Sequence, residues 1–172
     1  MTETGNLSLD QILALKRGDS GPVVNVDEPQ VKLVVLTLGG DWFAFHGGKV
    51  REVLPDCPVF YLPGCPSSME GVINVRGDIE TVIGLRSVLG YPPGEEAGSR
   101  ILLCQAAGMR SGVRVDAVEE VMDVPQSAIQ APPHTIAENR KPIVLGIVTF
   151  GGRQVTLLDL DRLFADYRAG LA

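Results

Sequence analysis

Apolar residues along this chain fall in short runs, each broken by glycine, proline or charge. VKLVVLTL (31–38) and WFAFH (42–46) flank Gly39-Gly40-Asp41, a turn signal between two apolar runs, and predict a hairpin. KVREVL (49–54) and VFYLP (59–63) follow as further extended segments. GVINVRGDIETVIGL (71–85) alternates apolar residues on both sides of Arg76-Gly77-Asp78 and predicts a second hairpin. LRSVLG (85–90) then reads as a short helix that stops at Gly90. After the loop YPPGEEAGS (91–99), the strand pattern resumes in RILLCQA (100–106), a turn at AGMR (107–110), and SGVRVDAVEEVMDV (111–124). A polar, proline-bearing stretch from Pro125 to Pro142 leads to IVLGIVTF (143–150), a Gly151-Gly152 turn, RQVTLLDL (153–160) and a final helix in DLDRLFADYRAG (159–170). Numerous short strands between Gly and Pro turns place the chain in the mainly β class, as small barrels.

Residues 1–30 stand apart from the domain expected over 31–172. NLSLDQILALK (6–16) sets Leu9, Ile12, Leu13 and Leu15 at near-helical spacing, with Ser8 or Asn6 available as a cap. KRGDSGPVVNVDEPQ (16–30) reads as a linker. So short a helix is marginal in water; the segment is either a loose tail, a helix packed on its own domain, or a helix that docks a partner.

The strand pattern repeats. GVINVRGDIETVIGLRSVL (71–89) lies over GIVTFGGRQVTLLDLDRLF (146–164) without a gap. Gly71, Gly77, Thr81 and Leu85 match Gly146, Gly152, Thr156 and Leu160, and KVREVL (49–54) echoes AVEEVM (117–122). One unit is written twice: a hairpin, a V-x-E-V element, and a second hairpin closed by a short helix. Two similar barrels side by side, with a groove where they meet, are expected. At corresponding turns the leading repeat has Asn74 and Arg76 where the trailing repeat has Thr149 and Gly151. Gly77 suits a turn that needs positive φ. Arg76 is not needed by the fold; it is either a solvated turn residue or a residue with a task in one half only.

Composition narrows the function. With 45% apolar residues the chain is not disordered, and a net charge of -6 without any basic stripe argues against nucleic acid as a partner. No apolar run is long enough to cross a bilayer, and MTETGNLSLD lacks the charge and apolar stretch of a signal peptide. Cys57, Cys65 and Cys104 are an odd number without a C-x-x-C pair, as in a reducing compartment. A cytoplasmic protein without direct membrane insertion is expected.

Catalytic constellations fail one after another. Two histidines, His46 and His134, are too few for most zinc sites without close Cys partners. Cys65 with His46 as its base lacks a catalytic signature, and no phosphate-binding glycine motif is present. Asp116 and Glu120 read as solvated or capping carboxylates. No cofactor and no metal are expected, and a binding module remains.

From Val31 to Leu163 the chain resembles the CheW family of bacterial chemotaxis coupling proteins. The resemblance is carried by LVVLTLGGDWFAF, KVREVL, YLPGCPSSMEGVINVRG, TVIGLRSVLG, GVRVDAVEEVMDV, IQAPP and LGIVTFGGRQVTLLDLDRLF, in that order. It implies two five-stranded SH3-like β-barrels with short helices. It also implies a non-catalytic adaptor between the cytoplasmic tip of methyl-accepting chemoreceptors and the regulatory domain of the histidine kinase CheA, located at membrane-associated or soluble receptor arrays. By position, Val50 and Glu52 of VREV, Gly71, and Asn74, Arg76 and Gly77 of the NVRG turn correspond to receptor-side residues. Val50, Val53 and Val118 would form an apolar strip for a helix, while Glu52 and Arg76 hold each other or reach receptor side chains. The alternatives are a regulatory or decoy module of another chemosensory pathway, such as twitching motility, and a small thiol enzyme. The chain departs from the family at Gly84, where many members carry Asp, and in the glycine-rich FHGG (45–48).

Overall fold

The computed structural model describes residues 28–55, 57–94 and 98–170, and the candidate helix at 6–16 lies outside them. Among the described residues ten strands form two five-stranded sheets. They are β1 (Gln30–Leu38), β2 (Asp41–His46), β3 (Val50–Leu54), β4 (Met69–Val75), β5 (Asp78–Gly84), β6 (Arg100–Ala106), β7 (Met109–Val115), β8 (Ala117–Pro125), β9 (Val144–Phe150) and β10 (Arg153–Leu158). Helix α1 (Leu85–Leu89) follows β5, and α2 (Leu160–Arg168) follows β10. VFYLP, expected as a strand, contributes only an isolated bridge at Phe60.

The continuous apolar runs have a simple cause: their strands are buried on both faces. In β1, Leu33 and Val35 point into one lobe, while Leu36 and Leu38 point into a core shared by both lobes. In β6, Ile101 and Leu103 fill the other lobe, while Leu102 and Cys104 join the shared core. Leu85 and Leu89 of α1 and Leu160, Leu163 and Phe164 of α2 complete that core.

The repeat is real, but its halves are not the lobes. The first lobe has strand order β8-β1-β2-β10-β9 and the second β3-β6-β7-β5-β4. Each lobe therefore takes its central hairpin from one half of the chain and its other three strands from the other half. Replacing every strand of the first order by its repeat partner yields the second order. β2 meets β10, and β7 meets β5, in parallel, while the other strand pairs are antiparallel.

Each lobe closes at the same place. The segment after β3 returns to β4 through the Phe60–Val72 bridge, and the segment after β8 returns to β9 through Gln130–Ile147. A Cβ on Gly71 would stand 2.2 Å from the Phe60 carbonyl oxygen, and one on Gly146 would stand 2.6 Å from that of Gln130. The matched glycines of the two repeats are the points where closure requires the absence of a side chain.

Candidate functional site

The V-x-E-V elements become edge strands with a bulge. Val50 pairs with Cys104, Glu52 with Leu103 and Val53 with Leu102, so Arg51 is the extra residue. Without it, residues three apart would face opposite ways; with it, Val50 and Val53 share the face turned toward the shared core. β8 repeats the device. Val118 pairs with Leu36, Glu120 with Val35 and Val121 with Val34, leaving Glu119 as the extra residue. Val50 and Val118 are half-buried against the shared core, whereas Val53 and Val121 are 43% and 50% exposed. The strip is thus two pairs of valines on two edge strands. Val121 escaped the sequence reading, although the V-x-E-V echo contained its signal.

Glu52 lies on the opposite face of β3, toward the seam between β3 and β4. There the Arg76 guanidinium donates through Nη2 to Glu52 Oε1, and the bonded carboxylate raises the arginine pKa above its ordinary value. Arg76 is 71% exposed and Glu52 32%. Arg76 has φ 51 and Gly77 φ 92, matching Gly151 at φ 56 and Gly152 at φ 77 in the other lobe. An arginine therefore occupies a left-handed turn position that its repeat partner fills with glycine, a placement L-residues resist. The Asn74 Oδ1 accepts from the Gly77 N–H at 2.8 Å and holds the turn.

Glu52, Asn74, Arg76 and Gly77 thus come together on the second lobe's seam. Gly71 does not join them at the surface: it is buried, with φ 149, beneath the closing bridge. Its geometry assigns it to closure of the lobe that presents the others.

Gly84 has a physical explanation. Glu70 is the bulged residue of β4, and its carboxylate oxygen stands 2.8 Å from where a Gly84 Cβ would be. Arg114 Nε donates to Glu70 Oε1 at 2.7 Å, and Arg114 Nη1 to Ser99 Oγ at 2.6 Å. In the other repeat Asp159 caps α2 by accepting from the Arg162 N–H at 3.1 Å, whereas α1 has no side-chain cap. Gly84, where the other repeat has Asp159, leaves room for a partly buried ion pair.

Two clefts lie beside this pair. One, about 580 Å³, is walled by Val59, Tyr61 and Met69; the other, about 370 Å³, lies at the lobe junction beside Leu38, Arg86, Tyr91 and Asp116. Glu70 and Arg114 line both. Val50, Glu52, Asn74, Arg76, Gly77 and Val118 line neither, so the candidate surface is open.

The junction is braced twice with opposite polarity. Arg86 of α1 donates to both oxygens of Asp116 at 3.0 and 2.5 Å, and Asp116 accepts from the Gly39 N–H at 2.9 Å. Asp161 of α2 accepts from Lys49 Nζ at 3.2 Å and from the Ala107 N–H at 2.9 Å. The Lys49 bond, with the Ala107 bond assisting, lowers the Asp161 pKa below the ordinary carboxylate value. Asp116 is thus a brace, and Glu120 accepts from the adjacent Val121 N–H at 3.1 Å.

Among the described residues no His/Cys/Asp/Glu group is arranged to hold a metal. Burial pushes the Cys104 thiol up to about 12, away from a thiolate at neutral pH. No helix among the described residues is long and apolar enough to cross a membrane.

A family model described as "CheW-like domain" matches residues 32–168. "Probable chemotaxis protein CheW" of Rhizobium etli is 27% identical over 145 residues, covering 84% of this chain and 94% of the relative. "Chemotaxis protein CheW" of Rhizobium meliloti is 26% identical over 134 residues, covering 77% and 86%. The crystal structure of the scaffolding protein TtCheW from Thermoanaerobacter tengcongensis superposes with a TM-score of 0.72 at 31% identity, covering 79% of this chain and 93% of that one.

Proposed function

The chain belongs to the CheW-like domain family, and from that premise we propose how its two lobes perform a scaffold's work. Its role is that of a chemotaxis adaptor, as the names of its relatives and the scaffolding neighbour support. In this reading it catalyses nothing. It joins the cytoplasmic tip of a chemoreceptor to the regulatory domain of the kinase CheA, at receptor arrays in the cytoplasm. The domain proper runs from residue 31, and residues 1–30 form an extension.

Val50, Val53, Val118 and Val121 supply the apolar strip on which a receptor helix lies. Glu52, Asn74, Arg76 and Gly77 fix its register, the arginine fork suiting a carboxylate. Gly71 serves indirectly, by closing the lobe beneath them. The observation that carries this reading is Arg76: a left-handed turn occupied by an exposed arginine where the repeat has glycine. Single contacts of this kind are of micromolar order, about -8 kcal/mol, and an array multiplies them.

The test is binding of a receptor signalling tip and, separately, of a CheA regulatory domain, by the unmodified protein and by Arg76→Ala. Arg76→Ala is expected to weaken the receptor tip by about tenfold or more, to leave kinase-domain affinity in place, and to keep the melting temperature. Unchanged receptor affinity would remove the proposal. Binding of the kinase domain alone by the unmodified protein would favour the decoy reading.

A further inference from the structure

Phe60, Tyr61 and Leu62 are consecutive, large and apolar, and they are 61%, 69% and 43% exposed. They are not a slack loop. Phe60 exchanges both backbone hydrogen bonds with Val72, at 2.8 and 2.9 Å, and Tyr61 walls the 580 Å³ trough together with Pro58, Val59 and Met69. The fold does not require this patch. The segment that closes the first lobe in the same way reads Gln130-Ala131-Pro132. A rigid run of exposed aromatic and aliphatic side chains is the signature of a surface that something covers.

We propose that the occupant is the chain's own segment 6–16, held across Phe60, Tyr61 and Leu62. Among residues 1–27, this segment concentrates the large apolar side chains, with Leu9, Ile12 and Leu13 at the spacing of one helical face. A helix of that length is about 15 Å long and needs such a surface to be stable. The tether reaches. The chain enters the domain at Glu28, whose carboxylate accepts from the Ser127 N–H at 2.5 Å. Residues 17–27 extend to at most about 36 Å, comparable to the full width of a compact domain whose radius of gyration is near 15 Å. A short tether also raises the local concentration to the millimolar range, which favours the chain's own segment over a second copy. The inference goes beyond the adaptor reading and does not rest on it.

Hydrogen exchange of the full chain, read by mass spectrometry, tests it. Amides of 6–16 are expected to exchange about tenfold or more slowly than an unstructured peptide. Leu9→Asp/Leu13→Asp and, separately, Tyr61→Ser should each abolish that protection. Tyr61→Ser spares the Phe60 bridge, and unchanged β4–β5 exchange verifies the fold. The proposal is overturned by unprotected exchange of 6–16 in the unmodified chain, by protection that survives Tyr61→Ser, or by protection lost on dilution, which would mean a second copy.

Discussion

Where the first lobe places Trp42, Val155, Arg153 and Phe150, the repeat sets Arg110, Glu80, Asp78 and Val75 in the second. In the first lobe Val155 is core, Trp42 packs on Phe150 with ring centroids 6.0 Å apart, and Arg153 lies 5.0 Å above the indole. In the second, Glu80 is buried and receives a bond from Arg110, with Asp78 at 3.8 Å from the same guanidinium. The seam repeats the contrast: Gly151 against Arg76, and an Asp159 cap against the Glu70–Arg114 pair. Burying paired charge is seldom more stabilising than burying hydrocarbon. One backbone plan thus carries a lobe composed for packing and a lobe that keeps charge at its edges, and binding chemistry is expected where stability was not the criterion.

Closure is common to both lobes, so breaking it gives the largest effects. Gly71→Val is expected to cost at least about 4 kcal/mol, because it adds a clash with the Phe60 carbonyl to a left-handed φ. Gly146→Ala, which meets Gln130 at 2.6 Å without that φ, should cost about 2 kcal/mol. Urea denaturation measures both; a Gly71→Ala variant costing no more than Gly146→Ala would mean that the two seams are closed alike. Next, Glu70→Ala removes the carboxylate to which Arg114 Nε donates and should cost about 2 kcal/mol. Adding Gly84→Asp to Glu70→Ala gives the second lobe the first lobe's cap, and should recover about 1 kcal/mol. No recovery would show that α1 does not need the cap that α2 has.

Smaller effects sharpen the contrast at the turn and the braces. Arg76→Gly converts the second lobe's turn into the first lobe's, so calorimetry should show an equal melting temperature or one about 2 °C higher. A clear drop would make Arg76 a structural residue. The Asp161 brace carries a pH signature. Its folded pKa lies below the unfolded one, so its contribution is complete above the ordinary carboxylate range and is lost as pH falls through the lower, folded value. Lys49→Met should flatten that acid limb slightly in denaturation curves taken on either side of it; the brace is half-exposed, and the change should be the smallest of the set.

Much of this was legible from the residues. The hairpin turns and both described helices fall where Gly39-Gly40, Arg76-Gly77, Gly90 and Gly151-Gly152 predict, because left-handed positions leave a chemical mark. The Asn74–Arg76–Gly77 turn and its pairing with Glu52 were also within reach, since unlike residues at matched repeat positions are visible in one dimension. The exchange of hairpins between lobes was not, because periodicity records which face a residue buries and is silent about which strand lies alongside. The bulges were hidden for a related reason: one extra residue in a short edge strand shifts the pairing with its neighbour, and that register leaves no mark along the chain. Glu70, Gly84 and Arg114 meet only through the fold, and the mark they left was a glycine in an aspartate's place.

The exchange of hairpins carries a consequence for the history and handling of this polypeptide. A peptide equal to either half holds one strand of each kind, yet in the intact chain its leading hairpin completes the lobe built by the other half. Two copies of such a half-length ancestor, each lending its hairpin to the other, would build the same twin body as a swapped homodimer. Gene fusion would then join what was already assembled. Severing the backbone within 91–99 should accordingly yield fragments that reassemble with each other when mixed.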